Sequence, residues 1–211
     1  MKSKCPLCRS NSRTFFKNQL HHFYLCDQCA GIFRDRDQFL TKTEEKKRYL
    51  NHISSMEDTG YYHFISPIID EVASSFSVDN LGLDFGCGHT PVLSKYLTNK
   101  GFKMAEYDPI FFNDNSVLKT KYNFIVSCEV IEHFYSPLDE FKKLFTLLKS
   151  GGMLICKTHP FEKEIDFASW HNQGKSRHDF IYQKKTFLWV KDFFGFKSIK
   201  INDRTITYSK Y

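Results

Sequence analysis

Apolar runs alternate with segments of helical periodicity over the last two thirds of the chain. Strand-like runs cover 81–85, 101–107, 123–127 and 153–158, while apolar residues recur at helical spacing in 64–72, 91–98, 138–149 and 183–193. Strands that alternate with helices in this way are typical of an α/β fold. Two final runs, 196–201 and 205–208, flank a polar turn and predict an antiparallel hairpin.

Two further features modify this picture. The segment 110–120 lies between two of the strands and is too short for a normal strand–helix unit, so we expect an abbreviated sheet there. The helical segment 138–149 is followed by Ser150-Gly151-Gly152, and we expect the helix to stop there because glycine commonly ends helices.

The strand at 81–85 stops abruptly at Gly86-Cys87-Gly88, and a helical segment follows. This order exposes backbone N–H groups at a helix N-terminus, where an α/β fold binds ligands. The glycines let the backbone lie against a nucleoside with no Cβ in the way. Asp84 stands in an otherwise apolar strand, so its carboxylate requires a cationic or N–H partner. The spacing is not that of a dinucleotide loop, because Pro91 takes the place of the third glycine.

The sequence Asp-Phe-Gly-Cys-Gly at this turn resembles motif I of the class I S-adenosylmethionine-dependent methyltransferases. The resemblance implies their Rossmann-like α/β sheet with helices on both faces. It also implies that the glycine loop carries the methionine part of the cofactor, and that Asp84 pairs with its amino group or a water. A second acid binds the ribose hydroxyls in this family; Asp108 holds that place, with Glu106 behind it in the strand. The implied cofactor contacts are Asp84, Phe85, Gly86, Cys87, Gly88, Asp108, Pro109, Cys128 and Glu129.

Acidic and imidazole side chains follow the strand at 123–127, on the edge where open α/β sheets bind ligands. Glu129, Glu132 and His133 stand at i, i+3 and i+4, so one helical turn is expected to put all three on one face. This group suits either a divalent cation or a general base with an orienting acid. A purely structural helix start is the remaining interpretation.

This E-x-x-E-H arrangement resembles that of two methyltransferase families, the ubiquinone-biosynthesis O-methyltransferases and the small-RNA 3′-terminal 2′-O-methyltransferases. In the RNA enzymes these residues and a later histidine bind Mg²⁺. The resemblance implies Glu129, Glu132 and His133 as ligands of Mg²⁺ or Mn²⁺, with His178 as the fourth ligand and His171 as its rival. In the absence of a metal, we expect His133 to be the catalytic base and Glu132 to orient it.

Four of the seven cysteines form two C-x₂-C pairs, Cys5 with Cys8 and Cys26 with Cys29, separated by 17 residues. This spacing predicts a four-thiolate structural zinc site, with a short hairpin between the pairs. A module of about 35 residues buries too little apolar surface to fold alone, so a metal ion is expected to stabilise it. Two disulfides or a redox C-x₂-C are the alternatives. The other three cysteines, Cys87, Cys128 and Cys156, are expected to be small buried residues.

Length and composition indicate one full domain with a small module, because 41% of the 211 residues are hydrophobic. We divide the chain into a zinc ribbon at 1–38, a helical linker or cap at 39–78, and a class I methyltransferase domain at 79–211. No stretch approaches the roughly 18 apolar residues of a membrane helix, and the N-terminal residues lack an apolar signal region. We therefore expect a cytoplasmic protein without a membrane partner.

These patterns predict an S-adenosylmethionine-dependent O-methyltransferase that acts on a small hydroxylated acceptor. Two alternatives stay open: an RNA methyltransferase whose ribbon contacts nucleic acid, and a cofactor-binding regulator without turnover. Nucleic acid is not favoured, because the formal net charge is only +6 and the ribbon's basic residues are few. RNA binding would weaken steeply with salt, whereas a regulator would bind cofactor and transfer no methyl group.

Overall fold

The computed structural model describes residues 3–50, 59–170 and 178–211. The strands are β1 (Ser12–Lys17), β2 (His22–Cys26), β3 (Ile32–Arg34), β4 (Leu81–Phe85), β5 (Lys103–Tyr107), β6 (Tyr122–Cys128), β7 (Leu148–Lys157), β8 (Phe180–Ile181), β9 (Ser198–Asn202) and β10 (Thr205–Ser209). The α-helices are α1 (Lys42–Tyr49), α2 (Thr59–Ser75), α3 (Val92–Asn99), α4 (Pro137–Leu147) and α5 (Lys184–Phe194). Short 3₁₀ helices cover Arg36–Gln38, Val117–Lys119 and Ile131–His133.

The larger sheet has six strands in the order β5-β4-β6-β7-β10-β9. The first four run parallel to one another, β10 is antiparallel to β7, and β9 is antiparallel to β10. The predicted α/β fold and the predicted final hairpin are both confirmed. Because β4 lies between β5 and β6, the chain order reverses at β4, and open α/β sheets bind their ligands at such a point.

The sheet is abbreviated where the sequence predicts it. In the fully described stretch between β5 and β6, the only helical segment is the three-residue turn Val117–Lys119. The Tyr122 hydroxyl donates to the Val117 carbonyl oxygen at 2.7 Å and ties this turn to the next strand. β5 is therefore an edge strand of the sheet.

The predicted end of the helix before β7 is wrong by a few residues. α4 ends at Leu147, and β7 begins at Leu148, ahead of the two glycines. Leu148 pairs with Tyr122 and is buried, and the register between the strands shifts before Met153. The glycines lie within this irregular strand, where Gly151 has a φ of 72°, and they do not cap the helix.

Helices cover both faces of the large sheet. Phe124 and Val126 of β6 face one core, with α2 and α3, while Ile125 faces the other, with α4 and α5. This division follows from the two-residue alternation of a strand. α2 buries four apolar residues at i, i+3, i+4 and i+7, a spacing that places them on one helical face: Ile65, Ile68, Ile69 and Val72. None of the described helices combines the length and apolar character that a membrane crossing requires.

The smaller sheet joins the N-terminal ribbon to a later part of the chain. Its order is β1-β2-β3-β8, and all neighbours are antiparallel. The hairpin predicted between the cysteine pairs is confirmed as β1 and β2. β8 comes from the segment after the large parallel strands, and its Phe180 and Ile181 pair with Phe33 and Ile32 of β3. The ribbon sheet is thus completed by a strand from the predicted methyltransferase region.

Candidate active site at the carboxyl edge of the sheet

The glycine turn after β4 has the backbone geometry that glycine permits most readily. Gly86 and Gly88 have φ values of 82° and 67°, in the left-handed region. The N–H groups of Gly86 and Cys87 donate to the Tyr107 carbonyl oxygen at 2.7 and 3.2 Å, which fixes the turn against β5. A Cβ at Gly86 would lie 2.5 Å from the Val130 side chain, whereas one at Gly88 would meet no atom within 4 Å. The space for a ligand is therefore beside Gly88.

Asp84 has the N–H partner that its position in the strand requires. Its Oδ2 accepts a hydrogen bond from the Ser94 N–H of α3 at 3.2 Å, and the residue is 3% exposed. Burial is the main reason that the pKa of Asp84 is raised to about 7; the Ser94 hydrogen bond opposes this rise, and the charges of Glu106 and Asp108 contribute to it. Such a carboxyl is ready to ionise beside a cationic ligand group.

Asp108 lies across the glycine turn from Gly88, and its carboxylate fixes the shape of that turn. Asp108 Oδ2 accepts from the Gly88 N–H at 3.1 Å, while Oδ1 accepts from the N–H groups of Ile110 and Phe111 at 2.8 and 3.0 Å. The alternative acid, Glu106, pairs in register with Asp84 inside the strands. Asp108 thus faces the glycine turn from the end of β5, the place predicted for the acid that binds ribose hydroxyls. Its neighbour Pro109 begins the turn that follows.

The expected helical turn at Glu129, Glu132 and His133 is not present. Glu129 has a φ of 53°, and only Ile131–His133 forms a short 3₁₀ helix. The Glu129 N–H donates to the Lys157 carbonyl oxygen at 2.8 Å, so this residue continues the strand pairing before the chain turns. The prediction of a helical turn is wrong because this sheet contact stops the helix from starting at Glu129. Cys128, just before it, is half-buried.

Glu132 and His133 nevertheless come together with His178. One ligand atom from each of the three lies within 4.8 Å of the others. The rings of His133 and His178 have centroids 5.4 Å apart, and His178 Nε2 is 3.9 Å from Glu132 Oε1. Glu129 does not belong to this group of three. His171, the predicted rival of His178, lies outside the described residues, as do its neighbours up to residue 177.

Glu132 is a buried acid whose oxygens lack hydrogen bonds. It is 2% exposed, and neither of its carboxylate oxygens forms a hydrogen bond within the described part of the chain. Burial raises the pKa of Glu132 well above its usual range, and the charge of Glu129 raises it further. Burial also raises the pKa of Glu129, but the charges of Arg204 and Lys157 oppose that shift. Buried carboxylate oxygens without hydrogen bonds are unusual, and a bound cation or ligand group would account for them.

The donor set of the three residues fits a divalent transition metal better than Mg²⁺. One carboxylate and two imidazoles suit Mn²⁺, Fe²⁺ or Zn²⁺, whereas Mg²⁺ prefers oxygen ligands. The two oxygens of Glu132 form no hydrogen bonds in the described part of the chain, and a cation would complete their coordination. Of the two ions predicted from the sequence, Mn²⁺ matches these ligands better than Mg²⁺. The use of either ion stays a prediction.

The four ribbon cysteines converge as predicted. Their sulfur atoms all lie within 4.8 Å of one another, with Cys5 and Cys29 at 3.6 Å and Cys8 and Cys26 at 3.2 Å. All four are free thiols, and three are buried. Four thiolates on one tetrahedral Zn²⁺ have sulfurs about 3.8 Å apart, which is compatible with this arrangement.

The ribbon contacts the strand that carries His178 to the site. The Arg34 N–H donates to the Asp179 carbonyl oxygen at 3.0 Å, and Arg34 Nε lies 3.9 Å from Asp179 Oδ1. Gln183 Nε2 donates to the carbonyl oxygen of Ala30 at 2.7 Å, and Ala30 directly follows Cys29, the last cysteine of the cluster. On the other side, the buried Tyr182 hydroxyl donates to the Ile131 carbonyl oxygen at 3.1 Å. His178 is therefore held between the ribbon and the turn that carries Glu132.

Sequence reasoning missed two cationic residues at this edge. Lys157 is the last residue of β7 and is 5% exposed, with its ammonium 4.7 Å from the centre of the Phe64 ring. Arg204 precedes β10, and its guanidinium lies 3.5 Å from His159 Nε2. A lysine that ends an apolar strand was the signal available for the first residue. Arg204 gave no such signal, because a charged residue in a hairpin turn is ordinary.

The model of the methyltransferase-domain family matches residues 32–201, so the chain belongs to that family. Among solved structures, magnesium protoporphyrin IX methyltransferase from Synechocystis PCC 6803 with bound SAH is similar with a TM-score of 0.51, at 12% identity over 83% of this chain and 98% of that chain. TehB from Haemophilus influenzae has a TM-score of 0.50, at 16% identity over 69% of this chain and 62% of that chain. At these identities, the similarity establishes the shared fold. A comparison with curated proteins found no significant match.

Proposed function

We propose that this chain is an S-adenosylmethionine-dependent O-methyltransferase for a small hydroxylated acceptor. Membership of the methyltransferase-domain family supports methyl transfer, and a protein of similar fold holds SAH. The observation that carries the choice of a hydroxyl acceptor is the group of Glu132, His133 and His178 at the carboxyl edge of the sheet. A hydroxyl must lose a proton during methylation, and this group can receive one.

The cofactor would lie against the open side of Gly88. The carboxylate of Asp84 would pair with the amino group of the methionine part, and Asp108 would accept hydrogen bonds from the ribose hydroxyls. Phe85, Gly86 and Cys87 would form the backbone wall of this site, with Pro109, Cys128 and Glu129 along its edge. The turn is already fixed by its hydrogen bonds to β5, so little reorganisation is needed on binding.

In the proposed reaction, the acceptor hydroxyl oxygen would displace the methyl group from the sulfonium, so that the C–O bond forms as the C–S bond breaks and its electron pair stays on sulfur. An imidazole nitrogen of His133, oriented by Glu132, would receive the hydroxyl proton. Proximity of the two reacting groups would supply much of the rate, and proton removal would contribute as well. In the alternative to a base at His133, a divalent cation held by Glu132, His133 and His178 would lower the pKa of the acceptor hydroxyl.

The packing of the ribbon favours a small acceptor over RNA. Phe23 of the ribbon packs edge-on against Phe167 at 5.2 Å, and Phe15 packs on the same ring at 4.9 Å. This face of the ribbon is therefore covered by the chain itself. Arg13 is ion-paired with Asp27, which reduces the positive charge that a phosphate backbone would meet. The ribbon serves as a structural support in this proposal.

A matched pair of glycine variants tests the cofactor site. Gly88→Ala places a methyl group in the open space where the cofactor would lie, so binding should weaken by about tenfold or more. Gly151→Ala is the control, because Gly151 has a similar φ of 72° and likewise meets no atom within 4 Å. Calorimetry with S-adenosylhomocysteine measures both variants. Equal affinity in the two variants, or no binding by the wild type, contradicts the proposed cofactor site.

Labelled-methyl transfer into a fractionated lysate tests the acceptor. The proposal expects the label in small molecules, with a loss of transfer in His133→Ala. Label in RNA would support the alternative RNA methyltransferase. Cofactor binding with no transfer to any fraction would support a regulator without turnover.

A further inference from the structure

Two cations lie at the acceptor side of the site without an ion-pair partner. Neither the ammonium of Lys157 nor the guanidinium of Arg204 forms an ion pair in the described part of the chain. Lys157 is 5% exposed, and an almost fully buried ammonium is rarely left without a counter-charge. The aromatic face of Phe64, 4.7 Å away, stabilises the ammonium in part but carries no negative charge.

The backbone holds both cations at the same edge of the sheet. Lys157 is opposite Thr205, the first residue of β10, and the Thr158 N–H donates to the Arg204 carbonyl oxygen at 3.0 Å. Lys157 is also opposite Cys128 at the end of β6, next to Glu129. The positions of the two cations are thus set by the pairing of β6, β7 and β10, and both lie near the carboxylate of Glu129 without contacting it.

The two cations have room for a further anionic partner. The nearby carboxylate of Glu129 forms no ion pair with either of them in the described part of the chain, and its Oε1 is itself buried without a hydrogen bond there. Within the described residues, the Arg204 guanidinium forms one side-chain hydrogen bond, with His159 Nε2, which leaves most of its donors available for a ligand. The guanidinium of Arg204 and the ammonium of Lys157 together suit an oxyanion. A guanidinium binds carboxylate or phosphate through two parallel hydrogen bonds, and an ammonium adds a compact positive charge.

We propose that Lys157 and Arg204 form an oxyanion subsite that binds a carboxylate or phosphate group of the methyl acceptor. This inference rests on the proposed function and specifies its substrate class: a small molecule with an anionic group near the hydroxyl that is methylated. The oxyanion would lie between Lys157 and Arg204, and the hydroxyl would then reach the group of Glu132, His133 and His178. His159 would orient the guanidinium by accepting its hydrogen bond.

The test measures anion binding by protein saturated with S-adenosylhomocysteine. Three probes of similar size are titrated by calorimetry or NMR: glycerol 3-phosphate, malate and glycerol. We expect one or both anionic probes to bind and the neutral glycerol not to bind; the comparison of the two anions separates phosphate from carboxylate. Lys157→Gln and Arg204→Gln should each weaken anion binding by about tenfold or more, as expected for the loss of a charged hydrogen-bond donor. Arg204→Lys should retain part of the affinity.

Lys200→Gln is the matched control, because Lys200 is an exposed lysine that pairs with Glu71. It should leave anion binding unchanged. The proposal is overturned if no anion binds the saturated wild type, or if anion affinity survives both Lys157→Gln and Arg204→Gln. It is also overturned if these variants lose S-adenosylhomocysteine affinity instead, since the cations would then serve the cofactor carboxylate.

Failure of the subsite is distinguishable from failure of the proposed function. Suppose that the wild type binds S-adenosylhomocysteine and transfers methyl groups, but all methylated products pass through an anion-exchange column at neutral pH. This outcome contradicts the subsite alone. Products retained on that column support it. Absence of cofactor binding in the wild type contradicts the proposed function.

Discussion

Among the described residues, two groups could hold a metal ion, and they differ in nearly every physical respect. The cysteine cluster is made of four sulfurs from two local C-x₂-C turns, and its four donors would complete a tetrahedral zinc site. The second group joins Glu132 and His133 to His178, which is 45 residues further along the chain and 12% exposed at its side chain. With three donors of mixed type, it leaves positions for a ligand or water.

This difference shows how the molecule separates stability from chemistry. A zinc ion bound by all four cysteines would leave no free position for a substrate, so we propose that the cluster holds the ribbon together. The open group lies at the carboxyl edge of the sheet, beside the glycine turn and the two cations. The two are linked through β8, whose pairing with β3 of the ribbon brings His178 to Glu132. Loss of the cysteine cluster should therefore also displace His178 from Glu132. Substitution of Glu132 or a histidine should leave the cysteine cluster intact.

The largest expected effect comes from breaking the closed cluster. Cys26→Ser should lose the bound zinc, unfold the ribbon and release β8, so that methyl transfer falls below detection. Structural zinc contributes about 10–16 kcal/mol of apparent binding free energy in small zinc modules, which explains the severity. Metal analysis and activity measure the result, and Cys87→Ser, outside the cluster, should keep its zinc. One tightly held zinc in folded Cys26→Ser protein would contradict the structural assignment.

The second largest effect on methyl transfer is expected from substitutions in the group of Glu132, His133 and His178. Glu132→Ala should reduce methyl transfer by about 10²-fold or more and leave ribbon zinc in place, because it removes the buried acid beside both imidazoles. Asp79→Ala is the control, since Asp79 is exposed and pairs with Lys103 at the start of β5, at the opposite edge of the sheet. Near wild-type turnover in Glu132→Ala would remove this group from the mechanism.

A chelator experiment distinguishes a cation from a base at the same residues. Turnover that EDTA abolishes and Mn²⁺ or Mg²⁺ restores, with zinc still in the ribbon, supports a cation. An open site exchanges its metal faster than a closed thiolate site, so a short exposure separates the two. Turnover that resists EDTA and rises with pH as an imidazole loses its proton supports His133 as the base.

A smaller effect is expected where the two regions meet. A Cβ at Gly31 would lie 2.2 Å from the Phe180 ring, so Gly31→Ala should displace β8 from the ribbon. Misplacing a reacting group by about 1 Å can lower the rate by about 10²-fold, and we expect kcat to fall by roughly tenfold to hundredfold with zinc retained. Gly195→Ala meets no atom within 4 Å and serves as the control. Unchanged kcat in a folded Gly31→Ala protein would mean that the ribbon does not position the site.

The smallest expected effect is a change of cofactor affinity with pH. Burial raises the pKa of Asp84 to about 7 in the absence of ligand. A cationic amino group needs the ionised form, so affinity should fall by about tenfold per pH unit below that pKa and level off above it. Calorimetry with S-adenosylhomocysteine between pH 5.5 and about 8.5 covers this range. Asp84→Asn should bind more weakly and lose the pH dependence; a pH dependence that persists in Asp84→Asn would assign it to another group.

Local chemistry was sufficient to predict much of this protein. The spacing of Cys5, Cys8, Cys26 and Cys29 predicted their cluster, because two short turns each aim two sulfurs at one point. The glycine turn after β4 and the final hairpin were likewise predictable, since both depend on residues adjacent in sequence. The missing unit between β5 and β6 followed from its length alone.

Tertiary structure decided the features that depend on pairing between distant strands. The backbone hydrogen bond from the Glu129 N–H to the Lys157 carbonyl oxygen prevents the expected helical turn. The pairing of β3 with β8 brings His178 to Glu132. The approach of Lys157 to Arg204 also required β7 and β10 to be neighbours. Periodicity reports the conformation of a segment, whereas the contacts between segments depend on the order of strands in the sheet. The reactive edge of this molecule is set by those contacts.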